Sequence, residues 1–141
     1  MNKIMLAVDP GLNTGWAVFA DGVKDMHIKT GTITENHYDN FFHTLIENFI
    51  EIVVMESAVV QGMRTQASGS HFTRLCEIIG LYKMACDNFL IPYVMYSVTQ
   101  WKGQLKNKVV RKWIIEKTGI DYHPVHVLCA VGIGLYHRGE F

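Results

Sequence analysis

The sequence predicts an α/β fold: a mixed five-stranded sheet flanked by helices. Three observations point to it. Three strand-like runs come first, joined by turn signals as in an antiparallel meander. Two short, β-branched apolar runs follow, each placed after a segment of helical periodicity. Helical segments then fill the remainder, so the order is meander first and alternating helix and strand second. At 141 residues, 49% hydrophobic and 18% charged, residues 1–141 have the length and apolar content of a single domain. That composition excludes a disordered chain.

Each element has its own signal. Residues 3–8 are apolar and strand-like and run into Asp9-Pro10-Gly11, a turn signal. Residues 14–20 resume as a strand, and Asp21-Gly22 is a favoured hairpin turn leading to a third strand over 23–33. Asn36 is placed to cap a helix over 38–49, with Phe41, Phe42, Leu45, Ile46 and Phe49 at helical spacing. Residues 51–55 read as a buried parallel strand ending at Glu56. Residues 57–70 are rich in Gly, Ser, Gln and Thr and read as a loop. A long helix is expected over 71–88, with Phe72, Leu75, Ile78, Ile79, Tyr82 and Ala85 on one face. A short strand is expected over 91–96, and helices near 99–103, 108–117 and 123–137. His123 is read as the boundary residue of the last helix, with Pro124 at its first position.

The longest apolar run, Ile50 to Val60, carries two glutamates and cannot span a bilayer. The opening Met1-Asn2-Lys3 leads straight into a strand, without the apolar segment of a secretion signal. Cys76, Cys86 and Cys129 are odd in number and widely spaced, which suits a reducing compartment. A soluble cytoplasmic protein is the expectation. With 13 basic and 13 acidic residues, net charge gives no support for nucleic-acid binding, so local distribution must carry that question.

Asp9 and Glu56 each close a buried strand. Sites in open α/β sheets form outside the carboxyl ends of strands, so the two carboxylates are placed to face each other. Paired acids raise each other's proton affinity unless a cation neutralises them. Mg²⁺ suits such a pair, since it prefers oxygen and keeps waters and phosphates in its shell. Taken singly, each acid is as easily read as a turn opener or a strand cap at the surface.

The order of motifs weighs on that choice. The run Ile4-Met5-Leu6-Ala7-Val8-Asp9-Pro10-Gly11-Leu12-Asn13-Thr14-Gly15-Trp16-Ala17 resembles the opening of the RuvC-type Holliday junction resolvases. Val53-Val54-Met55-Glu56 is similar to that family's second motif. The stretch from His123 to Ile133 resembles its last, in which an Asp or His ligand is followed three residues later by Asp-Ala. The chain's short length looks most like phage-encoded members. The resemblance implies a ribonuclease H-like fold. It also implies a metal-dependent, structure-selective endodeoxyribonuclease acting on Holliday junctions, forks and other branched DNA. Mg²⁺ is the implied cofactor, with Mn²⁺ as substitute, and a homodimer the implied assembly. A phage-encoded member would work in the bacterial host cytoplasm. Asp9, Glu56 and His126 are the implied metal-binding and catalytic residues, His126 as ligand or proton shuttle.

One position departs from the pattern: Cys129 stands where the family has Asp. A soft thiol is a poor partner for a hard cation, so this residue is expected to weaken metal binding and cleavage. The alternative is a branched-DNA-binding domain of the same fold that has lost cleavage. Asp121 is a lesser candidate for the missing carboxylate. Zinc held by His123, His126 and Cys129, spaced by three, is a rival reading. An actin-like phosphotransferase is another, weakened by the lack of a second such domain.

Between Trp101 and Lys117 lie Lys102, Lys106, Lys108, Arg111, Lys112 and Lys117, against the single acid Glu116. The family carries a lysine near the DNA backbone where this chain has Lys106-Asn107-Lys108. Lys102, Lys106, Lys108 and Arg111 are therefore expected phosphate contacts; the competing reading is a solvated helix face. In the loop after Glu56, Met63 and Arg64 sit where the family inserts residues into the junction, and Met63 is a candidate wedge between bases. The long helix carries more apolar surface than one core stripe needs, including Cys76, Leu81 and Met84, which fits a two-fold dimer. Cys76 and Cys86 are expected to be buried. Trp16 and Trp101 are expected to pack in the core or toward the junction.

Overall fold

The computed structural model describes residues 3–20, 28–58 and 69–141. The Asp21-Gly22 turn, the first part of the third expected strand, and Met63 and Arg64 lie outside the described residues.

Strands β1 (Met5–Asp9), β2 (Thr14–Phe19) and β3 (Ile28–Ile33) form the meander. Helix α1 (His37–Glu47) leads to β4 (Ile52–Glu56), and α2 (Gly69–Asn88) leads to β5 (Tyr93–Tyr96). Helices α3 (Val98–Trp101), α4 (Asn107–Thr118) and α5 (Val125–His137) complete the chain. The sheet has five strands in the order β3-β2-β1-β4-β5. β1 pairs antiparallel with β2 and parallel with β4, and β4 pairs parallel with β5. The expected α/β class with a mixed five-stranded sheet is observed.

β1 occupies the centre and is buried along its whole length. Successive side chains alternate between faces. Met5 and Ala7 face a cluster formed with Val127, Leu128, Val131 and Leu135 of α5. Leu6 and Val8 face the opposite cluster, with Phe41 and Leu45 of α1 and Ile78 and Tyr82 of α2. In β4, Val54 joins the α5 side, whereas Val53 and Met55 join the α1–α2 side. Burying each such Val, Leu or Phe contributes about 1.5–3 kcal/mol, so both faces are committed and the register is strongly specified.

Several boundaries shift. Asn36 does stand at the N-cap of α1, but its backbone is left-handed and its side chain makes no capping bond. Instead Asn40 Nδ2 donates to the Glu35 carbonyl at 2.7 Å. Pro124 is the N-cap of α5 rather than its first helical residue, after a cis His123–Pro124 bond. Cys86 is buried as expected; Cys76 is exposed on α2, where it lines an open hollow with Ile79, Lys83 and Met95 instead of packing in the core. Trp101 is in the core, whereas Trp16 is only partly buried, packed over Gly31 of β3. No helix among the described residues is long and apolar enough to cross a membrane.

Candidate active site

Alternation also decides where the acids point. Asp9 shares the parity of Met5 and Ala7, and Glu56 that of Val54, so both belong to the face covered by α5. The parallel register pairs Val8 with Met55 and sets the two acids side by side at the carboxyl ends of neighbouring strands. Asp9 is only 8% exposed. Burial, then the charge of Asp9, pushes the Glu56 carboxyl up to about 7; the Trp101 indole and the charge of Lys102 act in the opposite sense.

His126, in the first turn of α5, reaches Asp9: Nδ1 lies 3.2 Å from Oδ2. That hydrogen bond raises the proton affinity of His126, and the charges of Asp9 and Glu56 add to it, against the effect of burial. Gly15 makes this approach possible. It pairs with Asp9 across the β1–β2 ladder, and a Cβ on it would overlap the His126 carbonyl. The glycine in Thr14-Gly15-Trp16 thus has a steric cause: α5 crosses β2 at a residue without a side chain.

Glu56 is held from the other side. Trp101, 3% exposed, donates from Nε1 to Glu56 Oε1 at 2.8 Å. Sequence reasoning placed Trp101 among packing residues and missed this role. The available signal was chemical: a buried indole N–H needs an acceptor, and Glu56 is a half-buried one. Ser97 and Gln100 form a capping box that starts α3 and delivers the indole. Gly132 of α5 leaves room for the ring, since a Cβ there would lie 2.6 Å from Trp101 Cζ3.

Cys129 lies one turn beyond His126 on α5. Burial first, and then the charge of Asp9, pushes its thiol up to about 12. It is neutral at physiological pH and adds no anionic ligand. The set-up for zinc is not assembled: among the described residues, no three His, Cys, Asp or Glu side chains form a metal-binding group. His123 precedes the helix, so the spacing of three does not run along one helical face. Its Nε2 lies 3.0 Å from Asp121 Oδ2 on the surface. Asp121 itself binds Arg111, whose hydrogen bond holds its carboxyl below the usual range.

Arg111 also donates to the Tyr122 carbonyl at 2.9 Å, so this cation is engaged within the protein. Lys102 binds Asn107 and sits 6.0 Å from the Trp101 ring centre, close enough to Glu56 for its charge to act there. Lys106 is the N-cap of α4, and Lys108 lies in its first turn; both are exposed.

No family model and no curated protein matches the chain. Solved structures do. RuvC of Thermus thermophilus, determined in complex with a Holliday junction substrate, superposes with a TM-score of 0.78. It is 16% identical, over 97% of this chain and 93% of that one. The fowlpox virus resolvase, determined with Holliday junction DNA, gives 0.65 at 18% identity over 96% and 97% of the two chains. The yeast mitochondrial Holliday junction resolvase gives 0.53 at 13% identity, covering 99% of this chain and 72% of that one. The chain therefore has the ribonuclease H-like fold of the RuvC-type resolvases, with Asp9 and Glu56 at the carboxyl ends of its two central parallel strands.

Proposed function

We propose that the chain is a divalent-metal-dependent endodeoxyribonuclease selective for branched DNA, resolving Holliday junctions as a homodimer. The observation that supports this is the convergence of Asp9 and Glu56 on one face of a resolvase fold, each carboxyl held by its own partner, the part-exposed His126 for Asp9 and the buried Trp101 for Glu56. The pair fits a hard cation. Two carboxylates crowded into a half-buried site resist joint ionisation until a positive charge joins them, and burial first and the charge of Asp9 second both raise Glu56. Asp9 and Glu56, with His126 beside Asp9 as a further ligand or a proton shuttle, would hold the cation, and waters and DNA phosphate would complete its shell, the habit of Mg²⁺, with Mn²⁺ as substitute. When bound, such ions activate water and stabilise the leaving oxygen in phosphodiester cleavage.

The chain's own residues do the rest. Trp101 and His126 fix the carboxyl oxygens of Glu56 and Asp9. His126, with its side chain 41% exposed and its proton affinity raised, holds a proton at the mouth of the site. Lys106 and Lys108 supply exposed cations for the backbone of the DNA arms, and Lys102 places a cation near the carboxylates. Met63 and Arg64 remain proposed junction contacts. A two-fold junction needs two nicks, which a C2 pair delivers; α2 offers the exposed Met84 for that contact.

The second reading, a branched-DNA-binding domain without cleavage, draws on the neutral thiol of Cys129 in place of a carboxylate. A fluorescent four-way junction and a linear duplex of the same sequence, incubated with Mg²⁺ or Mn²⁺, decide between them. The nuclease nicks the junction only, and Asp9→Asn and Glu56→Gln abolish nicking while leaving junction binding in place. Tight junction binding without nicking by either the natural chain or Cys129→Asp would overturn the enzyme reading.

A further inference from the structure

The turn that carries Asp9 is tied to the opposite side of the sheet by a buried chain of hydroxyls. Thr14 Oγ1 donates to the Gly11 carbonyl at 2.7 Å and accepts from the Gly11 amide at 3.1 Å. It also lies 2.6 Å from Tyr82 Oη, which in turn lies 2.9 Å from His37 Nδ1. Thr14 and Tyr82 are fully buried, and His37 is 6% exposed.

Counting protons gives the chain a direction. Thr14 has one hydroxyl proton, and it is spent on the Gly11 carbonyl. Tyr82 must therefore donate to Thr14 Oγ1. Tyr82 has then spent its own proton, so His37 must donate from Nδ1 to Tyr82 Oη. The environment agrees: burial, then the charge of Arg74, lowers the proton affinity of His37, which favours a neutral ring. Burial likewise pushes the Tyr82 hydroxyl up to about 12 and keeps it a donor. Tyr82 is fixed further by stacking on Phe41, with ring centres 4.3 Å apart and planes inclined by 22°.

We propose that Tyr82 and His37 are positioning residues for the nuclease site: the relay His37 Nδ1–H to Tyr82 to Thr14 to Gly11 sets the turn that aims Asp9. Neither residue touches the site; both act through Thr14. The inference rests on the nuclease reading for its catalytic consequence, though not for the relay itself.

Tyr82→Phe keeps the ring stacking and removes only the hydroxyl. It should lower the turnover of junction nicking roughly three- to tenfold, the value of one hydrogen bond, with junction affinity unchanged. Thr14→Val should do the same, Thr14→Ser should restore most of the loss, and the double variant Tyr82→Phe/Thr14→Val should be no worse than Thr14→Val alone. Nitrogen NMR should show the His37 proton on Nδ1, and the Gly11 amide should exchange roughly three- to tenfold faster in Tyr82→Phe. A proton on Nε2 of His37 would overturn the relay, as would unchanged Gly11 exchange. Losses that simply add, or that fall on affinity instead of turnover, would overturn the positioning role. If the natural chain nicks no junction, the nuclease reading falls, while the NMR measurements still judge the relay.

Discussion

Removing the indole donor from Glu56 should change how the site takes up metal with pH. In Trp101→Phe the ring remains, but the 2.8 Å bond from Nε1 to Glu56 Oε1 is gone. Hydrogen bonds to ionised groups are worth about 1.5–3 kcal/mol. Each pKa unit corresponds to about 1.4 kcal/mol, so the loss of a bond favouring the carboxylate raises Glu56 by about one unit or more. Starting from about 7, Glu56 would shift to about 8. Its ionised fraction at neutral pH would then fall from about one half to about one in eleven. Mn²⁺ affinity at pH 7 should drop about fivefold, with most of the loss recovered by pH 9, where both proteins are largely ionised. Titration calorimetry at several pH values measures this directly, and nicking rates should follow the same displaced profile. Near-superimposable affinity-against-pH curves for the two proteins would refute the assignment of Trp101 to Glu56. A uniform loss at every pH would instead point to collapse of the pocket around a smaller ring.

Three further outcomes follow from the same geometry. Gly15→Ala should force α5 away from β2, costing about 1–3 kcal/mol and lowering the melting temperature, because the new Cβ meets the backbone of His126 and Val127 rather than a flexible side chain. Cys129→Asp should tighten Mg²⁺ binding and raise the nicking rate, while lowering the melting temperature in chelator and restoring it with metal, since it buries a further anion beside Asp9 and Glu56. Lys106→Ala and Lys108→Ala should weaken binding equally across DNA sequences, and removing one phosphate-binding cation should reduce the salt slope by about one, as read from affinities between low and moderate salt.

Much of the fold was legible because its signals are local. Strand periodicity, the Asp-Pro-Gly turn and the helical spacing in α1 and α2 depend on neighbours within a few residues, and among the described residues they located the strands and helices to within a few positions. The acids were legible for a related reason: a carboxylate ending an apolar strand is conspicuous. What was missed depends on distance along the chain. Trp101 meets Glu56 across 45 positions, and Tyr82 meets Thr14 across 68. Nothing in the local pattern distinguishes Tyr82 from the other apolar residues on its helical face. The same limit explains the zinc alternative: a spacing of three between His123 and His126 suggests one helical face only if both residues are helical, and α5 begins at Val125. Arg111 is likewise bound to Asp121 and the Tyr122 carbonyl, contacts that no local pattern announces.

The tight seating of α5 has a mechanical consequence. The helix touches the sheet at Gly15, carries His126 against Asp9, and presents Gly132 to the ring of Trp101, which grips Glu56. One rigid body therefore governs the partners of both carboxyls. A displacement of α5 along its axis would loosen Asp9 and Glu56 together, so the two acids should gain or lose their grip on a cation as a unit, and a force applied anywhere along that helix would be felt at both.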